Sequence, residues 1–310
     1  MSKLSLLLSI LLAMTVKTDE ISSWVPKILT WNIYAFPQLP FPEWFLRTLP
    51  LSNLTKSYSF KERTEAIGNH ELLQGADIIV FSEMFNDGVY ELIKGKLKDT
   101  HPHSSPILMS KRRNRALKFT ITNGGSVIFS KCRILTIQQF AFKKACGSDK
   151  YASKGFFIAE IDAPQRTLIV STHLQATDDG CNPGQSAQIR KEQLTYIYQV
   201  LSLRASSDDI KLAFLVGDLN VNYGSAEYID SVERFDTVKT NIKSFDTKHN
   251  GIALRRVPES PVEHLDYIIP FKGVNNYVNE ALNVTYNGSN GKVKDYSDHY
   301  PLLGYLPENI

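Results

Sequence analysis

Four short motifs carry the residues able to do chemistry. Gly217-Asp218-Leu219-Asn220 follows the apolar run LAFLV. Asp218 and Asn220 are two apart, so an extended chain sets a carboxylate and an amide on one face. That pair suits the holding of one phosphate group or one attacking water. Ser297-Asp298-His299-Tyr300-Pro301 places an imidazole beside a carboxylate. An imidazole near its ordinary pKa of about 6.5 suits a general base. Ser82-Glu83 ends IIVF and offers a hard oxygen ligand of the kind magnesium prefers. Thr172-His173-Leu174-Gln175 adds a second imidazole, a candidate general acid. No CxxC, HExxH, GxSxG, P-loop or helix-opening GxGxxG occurs. Their absence sets aside zinc proteases, serine hydrolases, kinases and dinucleotide enzymes.

The segments that must position these motifs alternate apolar runs with amphipathic stretches. The pattern predicts strands over 27–34, 76–84, 125–130, 156–161, 167–174, 212–219, 264–270 and 300–306. It predicts helices over 60–74, 88–97 and 186–204. The last carries an apolar stripe at Ile189, Tyr196, Ile197, Val200 and Leu201 with helical spacing. Buried strands alternating with helices give an α/β protein with large sheets. The polar residues recur at the strand ends: Asn32, Glu83, His173, Asp218 with Asn220, then Asp266 and the Asp298–His299 pair. Any one of them would equally satisfy a neighbouring loop. The same pattern at so many strand ends describes an active site along one sheet edge.

The chain has 310 residues, 43% hydrophobic and 22% charged, with a net charge of +3. This excludes a disordered chain, a collagen-like chain and a multi-span membrane protein, and requires no polyanionic partner. A basic start at Lys3 and an apolar run from Leu4 to Ala13 predict a secretory signal peptide over residues 1–17, without a clean Ala-x-Ala site. The run is short of the roughly 20 apolar residues that span a bilayer. No linker or repeat divides residues 18–310, which read as one catalytic domain. Asn53, Asn283 and Asn287 begin N-glycosylation tripeptides, in keeping with an extracellular protein. Of Cys132, Cys146 and Cys181, one pair could close in an oxidising compartment, and counting alone does not choose it.

TWNIY, IVFSEMF, GGSVIFS, STHLQA, VGDLNVN, HLDYII and YSDHYPL occur in this order. The order resembles the endonuclease/exonuclease/phosphatase superfamily of metal-dependent phosphoesterases, from Asn32 to His299. Within it, KKACGSDKYASKGFF followed by THLQATDDGC resembles the secreted neutral sphingomyelinases of bacterial type. The resemblance implies a four-layer, deoxyribonuclease-like α/β sandwich: two central, mostly antiparallel sheets flanked by helices. It implies phospholipase C-type hydrolysis of sphingomyelin to ceramide and phosphocholine, dependent on Mg2+, with Mn2+ or Co2+ as substitutes. It also implies a Cys146–Cys181 disulfide, with Cys132 left over and buried. Carried over residue by residue, Glu83, with Asn32 and His299 beside it, would hold the ion. Asp218 and Asn220 would position phosphate and water. His299, oriented by Asp266, would take the proton from that water. His173 would stabilise the phosphoryl oxygens or protonate the ceramide oxygen, and Asp298 would steady the site.

Two departures from the family pattern bear on function. The bacterial enzymes carry an acidic pair just before the Gly124-Gly125 position, where this chain has Thr122-Asn123. A peripheral second metal site is left there with Asp87 alone. They also carry an aromatic hairpin before the final Asp-His, where residues 274–294 here are polar, with Tyr277 and Tyr286 the aromatics. That leaves the Pro-interrupted segment 35–50 either as a loop covering the sandwich or as the membrane contact, through Phe36, Phe41, Trp44 and Phe45. The expected partner is sphingomyelin in membranes, met by a monomer, with no nucleic acid. The nearest alternative is a secreted nuclease on the same scaffold, using Lys111-Arg112-Arg113-Asn114-Arg115 with Lys118 on phosphates. A non-catalytic binder on this scaffold would have lost ligands or bases, and here they are all present.

Overall fold

The computed structural model describes residues 24–36, 60–110, 120–235, 243–257 and 262–307. The chain begins with β1 (Ile28–Ala35), two short helices α1 (Phe60–Gly68) and α2 (Glu71–Gly75), and β2 (Ile78–Met84). Then come α3 (Asp87–Leu97), β3 (His103–Ser104), β4 (Val127–Ser130), β5 (Arg133–Ala141), β6 (Gly155–Asp162) and β7 (Thr167–His173). The long helix α4 (Gln185–Ala205) leads to β8 (Leu212–Asp218), α5 (Ala226–Ser231) and α6 (Gly251–Arg256). Late strands β9 (Asp266–Lys272), β10 (Val278–Ala281), β11 (Thr285–Asn287), β12 (Val293–Asp295) and β13 (Leu302–Tyr305) complete it.

Two sheets form, in the orders β10-β13-β1-β2-β4-β3 and β5-β6-β7-β8-β9, with β11-β12 as a separate hairpin. Among the strands of the described residues β1–β2 and β7–β8 pair in parallel and the other pairs are antiparallel. The side-chain period of two explains the layering. Ile28, Ile78 and Val80 of one sheet meet Phe157, Ile169, Phe214 and Ile268 of the other in one cluster between the sheets. The alternate residues face outward. Leu29, Trp31 and Phe81 pack on Ile67, Val89 and Ile93 of α1 and α3. Ile158, Val170 and Leu215 pack on Leu194, Ile197 and Leu201 of α4. The result is helix, sheet, sheet, helix: the expected four-layer sandwich. Strands covered on both faces read as unbroken apolar runs, which is why they were legible.

The structure departs from the expected elements at particular points. The helix predicted over 60–74 is two helices, because His70 leaves the helical region at φ −69, ψ 130 and caps α2 through its ring, accepting from Leu72 N. Strand β5 was not expected: its nine residues are solvated along one side, so polar side chains interrupt the run. The 274–294 stretch forms β10 and the polar hairpin β11–β12.

Candidate active site

Strand pairing brings the chemistry to one edge. His173 ends β7 directly opposite Asp218 at the end of β8. Asp218 in turn lies opposite Asp266, the first residue of β9. In the facing sheet β1 and β2 run in parallel and deliver Asn32 and Glu83. Asn32, Asp218 and Asp266 share the parity of Ile28, Val216 and Ile268, so they line the seam between the sheets. Glu83 has the opposite parity and would face the helices. Its left-handed backbone, φ 58, redirects it. Tyr34 (φ 48) and Asn220 (φ 51) are also left-handed, so three of the five non-glycine residues with positive φ among the described residues flank this edge. Such residues cost on the order of 1–3 kcal/mol each and concentrate at functional sites.

The side chains meet around one atom. Asp218 Oδ2 accepts from Asn32 Nδ2 at 3.0 Å. It lies 3.7 Å from His173 Nε2 and 3.9 Å from His299 Nε2. The bond from Asn32 to Asp218 crosses between the sheets, and Asn32 Nδ2 also donates to Glu83 Oε1 of its own sheet at 3.0 Å. His299 Nδ1 donates to Asp266 Oδ2 at 2.7 Å. Asp298 binds the guanidinium of Arg256. The loop carrying Asp298 and His299 is stitched to β1 from both sides: Ser297 Oγ donates to Asn32 O, and Trp31 Nε1 to His299 O. Arg63 of α1 donates to the carbonyls of Ile33, Tyr34 and Tyr296 and locks the same junction.

Burial and the crowding of charges together set the titration. Asp218 is pushed up to about 7, first by burial and then by Asp266. Burial likewise raises Glu83. Burial opposes a charged His299, yet Asp266 and then Asp218 outweigh it and push the imidazole up to about 10. His173 goes the other way: burial, then the Lys154 ammonium, hold it well below its ordinary value. Burial works against an ionised Asp298, but Arg256 overcomes it and the carboxyl stays low.

A small hard cation fits this site. Four buried carboxylates, Glu83, Asp218, Asp266 and Asp298, face the two cations Arg256 and His299. Glu83 Oε2 and Asp266 Oδ1 are buried with no hydrogen-bond partner among the described residues. Oxygen-rich, negative donor sets of this kind suit Mg2+ or a similar ion. Asp218, Asp266 and His299 each offer a ligand atom within 4.8 Å of one another. Of the expected ligand set, His299 lies in this group, and Glu83 adjoins it through Asn32. As placed, Asn32 turns its nitrogen toward the carboxylates, while its oxygen accepts from Tyr34 N at 3.2 Å.

The geometry adds residues. Asn220 lies past the end of β8 at Asp218, is left-handed, and turns its amide to Leu174 O at 3.2 Å. Lys154 was missed. It is buried, donates to Asp149 Oδ2 at 2.8 Å and to Leu174 O, and stands 3.1 Å from His173 Nε2. An ammonium has only protons to give, so that nitrogen accepts. Arg256 was also missed. Nothing in the local sequence of either marks it as buried against a site. At the departure from the family pattern, Asn123 Nδ2 donates to Phe85 O at 3.0 Å and Asn123 Oδ1 accepts from Gly125 N. Asp87 nearby is exposed. Phe36 stacks on Phe85 and meets Tyr34 edge-on, 4.7 Å between centroids. Phe41, Trp44, Phe45, Asn53, residues 1–17 and the basic run 111–115 with Lys118 lie outside the described residues. Asn283 and Asn287 are exposed.

Cys146 and Cys181 form a disulfide across 35 residues, and Cys132 is free and half-buried. The bridge ties the loop before β6 to the loop after β7. Gln175 reinforces it by accepting from Cys146 N, and Asp149 by accepting from Ala176 N. Lys154 is thereby seated against His173. Replacing both cysteines by serine should lower stability by roughly 3–4 kcal/mol, from the chain entropy of a loop this long. Calorimetry checks the size, and non-reduced peptide mapping should recover the 146–181 crosslink with Cys132 unpaired.

No protein-family profile matches the chain. Individual proteins do. A sphingomyelinase C from Bacillus cereus is 29% identical over 308 residues, spanning 90% of this chain and 88% of that one. The crystal structure of sphingomyelinase C from Streptomyces griseocarneus superposes with a TM-score of 0.76 at 28% identity, over 91% of this chain and 99% of the other. A two-residue variant of Staphylococcus aureus beta toxin, solved with bound magnesium ions, gives 0.74 at 26% identity over 91% and 99%. Similarity this long, on the same two-sheet scaffold, goes well beyond a shared motif: over nine-tenths of its length the chain is similar to the sphingomyelinases C.

Proposed function

We propose that the protein is a divalent-metal-dependent sphingomyelin phosphodiesterase, releasing phosphocholine and ceramide, with Mg2+ as the working ion. The observation that carries this reading is the His299–Asp266 dyad set against Asp218, with an excess of buried carboxylate around it. Glu83, with Asn32 bridging it to Asp218, would hold the ion beside His299. A divalent ion held there would supply charge neutralisation for the phosphodiester and for the acids around His299, whose Nε2 would then accept the proton. Asp266 fixes the imidazole through Nδ1, so Nε2 is the nitrogen presented to the attacking water. Asp218 and the rim residue Asn220 position phosphate and water. His173 is held neutral, which suits hydrogen bonding to a phosphoryl oxygen better than proton donation. Lys154 behind it adds positive charge where the phosphodiester's negative charge must rest.

The same reading includes export from the cell, glycans at Asn283 and Asn287, and action as a monomer on membrane-bound sphingomyelin, with Phe36 at the site's rim and the 35–50 segment meeting the lipid. Among the described residues no helix is long and apolar enough to cross a membrane. Purified protein should release phosphocholine from sphingomyelin vesicles and leave a supercoiled plasmid intact. Plasmid nicking without phosphocholine release would establish the nuclease alternative.

A further inference from the structure

Arg256 occupies a place that the reaction does not explain. It ends α6, and that helix is anchored to the catalytic loop. Asn250 caps α6 through Oδ1 and donates Nδ2 to Ser297 O at 2.8 Å. Gly251 N donates to Asp295 Oδ2 at 2.8 Å. From the opposite, C-terminal end the guanidinium lies over the Tyr34 ring, 5.0 Å from its centroid. Nη1 donates to Asp298 Oδ2 and stands 3.9 Å from Glu83 Oε1. Among the described residues this is the guanidinium's one hydrogen bond. Arg256 is 29% exposed, whereas the Glu83 and Asp298 side chains are 6% and 0% exposed. One cation at the mouth thus spans two carboxylates at the base.

We propose that Arg256 is a metal-displaced latch: it stands in for the divalent ion between Glu83 and Asp298, and swings toward solvent when the ion arrives. The inference rests on the proposed placement of the metal at Glu83. Two buried carboxylates side by side need a counter-charge, or one takes up a proton or the site opens. Arg256 supplies it while no ion is bound. An ion ligated by Glu83 would lie within a few ångströms of the guanidinium, and two cations that close repel strongly in a site of low effective dielectric. The arginine is the partner able to leave. It is tethered at a helix end, partly solvated, and held by Tyr34 through a cation–π contact that tolerates a range of positions. The latch keeps the empty site ordered, and it weakens ion binding by the free energy needed to release it.

The test is magnesium chloride titrated into the full chain by calorimetry, without substrate, alongside thermal unfolding in chelator and in magnesium. Arg256→Gln should bind magnesium about tenfold more tightly than the parent, the effect of removing one charge-assisted contact. Its unfolding midpoint should fall in chelator and recover in magnesium, so that its gain on adding metal exceeds the parent's. Arg256→Lys keeps the charge without the planar fork and should lie between. Damage to the fold would weaken binding, the opposite sign. Weakened binding in Glu83→Gln together with unchanged or weaker binding in Arg256→Gln overturns the latch and leaves the metal site standing. Unchanged binding in Glu83→Gln overturns the metal placement, and the latch with it.

Discussion

Removal of the His299 imidazole is expected to lower phosphodiester turnover by about 10²–10⁴-fold, the usual contribution of a positioned acid–base group. The choice of variant matters. Alanine leaves Asp266, buried to 1% exposure and 2.7 Å from the lost ring nitrogen, without its partner and directly opposite Asp218. Two adjacent buried carboxylates then repel, and lost stability would mix with lost chemistry. Asparagine retains an amide donor for Asp266 and removes only the second nitrogen, so His299→Asn should fold and fail. Asp266→Asn tests the other half. It keeps the shape but changes which ring nitrogen carries the proton, and the loss should approach that of His299→Asn. The double variant should be little worse than either single one, because residues acting as a unit are not additive. Additive losses would mean the two side chains act separately. Steady-state phosphocholine release, with unfolding midpoints for each variant, checks all three.

The second large effect belongs to Glu83. Glu83→Gln is nearly isosteric and can still accept from Asn32 Nδ2, so Asn32 keeps its place between Glu83 and Asp218. What it removes is the negative charge, and with it the anionic Oε2 that has no partner among the described residues. The magnesium concentration for half-maximal activity should rise on the order of 10²-fold, the upper end for groups one step outside a metal. Turnover should recover in part at saturating magnesium. An unchanged requirement would show that the ion is held by Asp218 and Asp266 without help from Glu83.

How much of this was visible in the sequence follows from which layer each residue occupies. Strands such as Ile78–Met84 and Leu212–Asp218 are covered on both faces, so their unbroken apolar runs announced themselves, and the polar residue ending each one stood out. Strand Arg133–Ala141, solvated along one side, gave no such signal. Glu83 escapes the simple pattern: alternation points it at the helices, and a left-handed backbone turns it into the seam. Lys154 and Arg256 were not legible. A charged residue at ordinary spacing reads as solvated until tertiary structure buries it, and the partners that define their roles, His173, Glu83 and Asp298, lie far away in the chain.

The central claim is that water attacks phosphorus and ceramide leaves. Hydrolysis of sphingomyelin vesicles in 18O-enriched water with magnesium, followed by mass spectrometry of both products, tests it in one measurement. Phosphocholine should carry one solvent oxygen and ceramide none, and both products should be absent in chelator. Label in the ceramide, release of free choline, or undiminished reaction in chelator would contradict it.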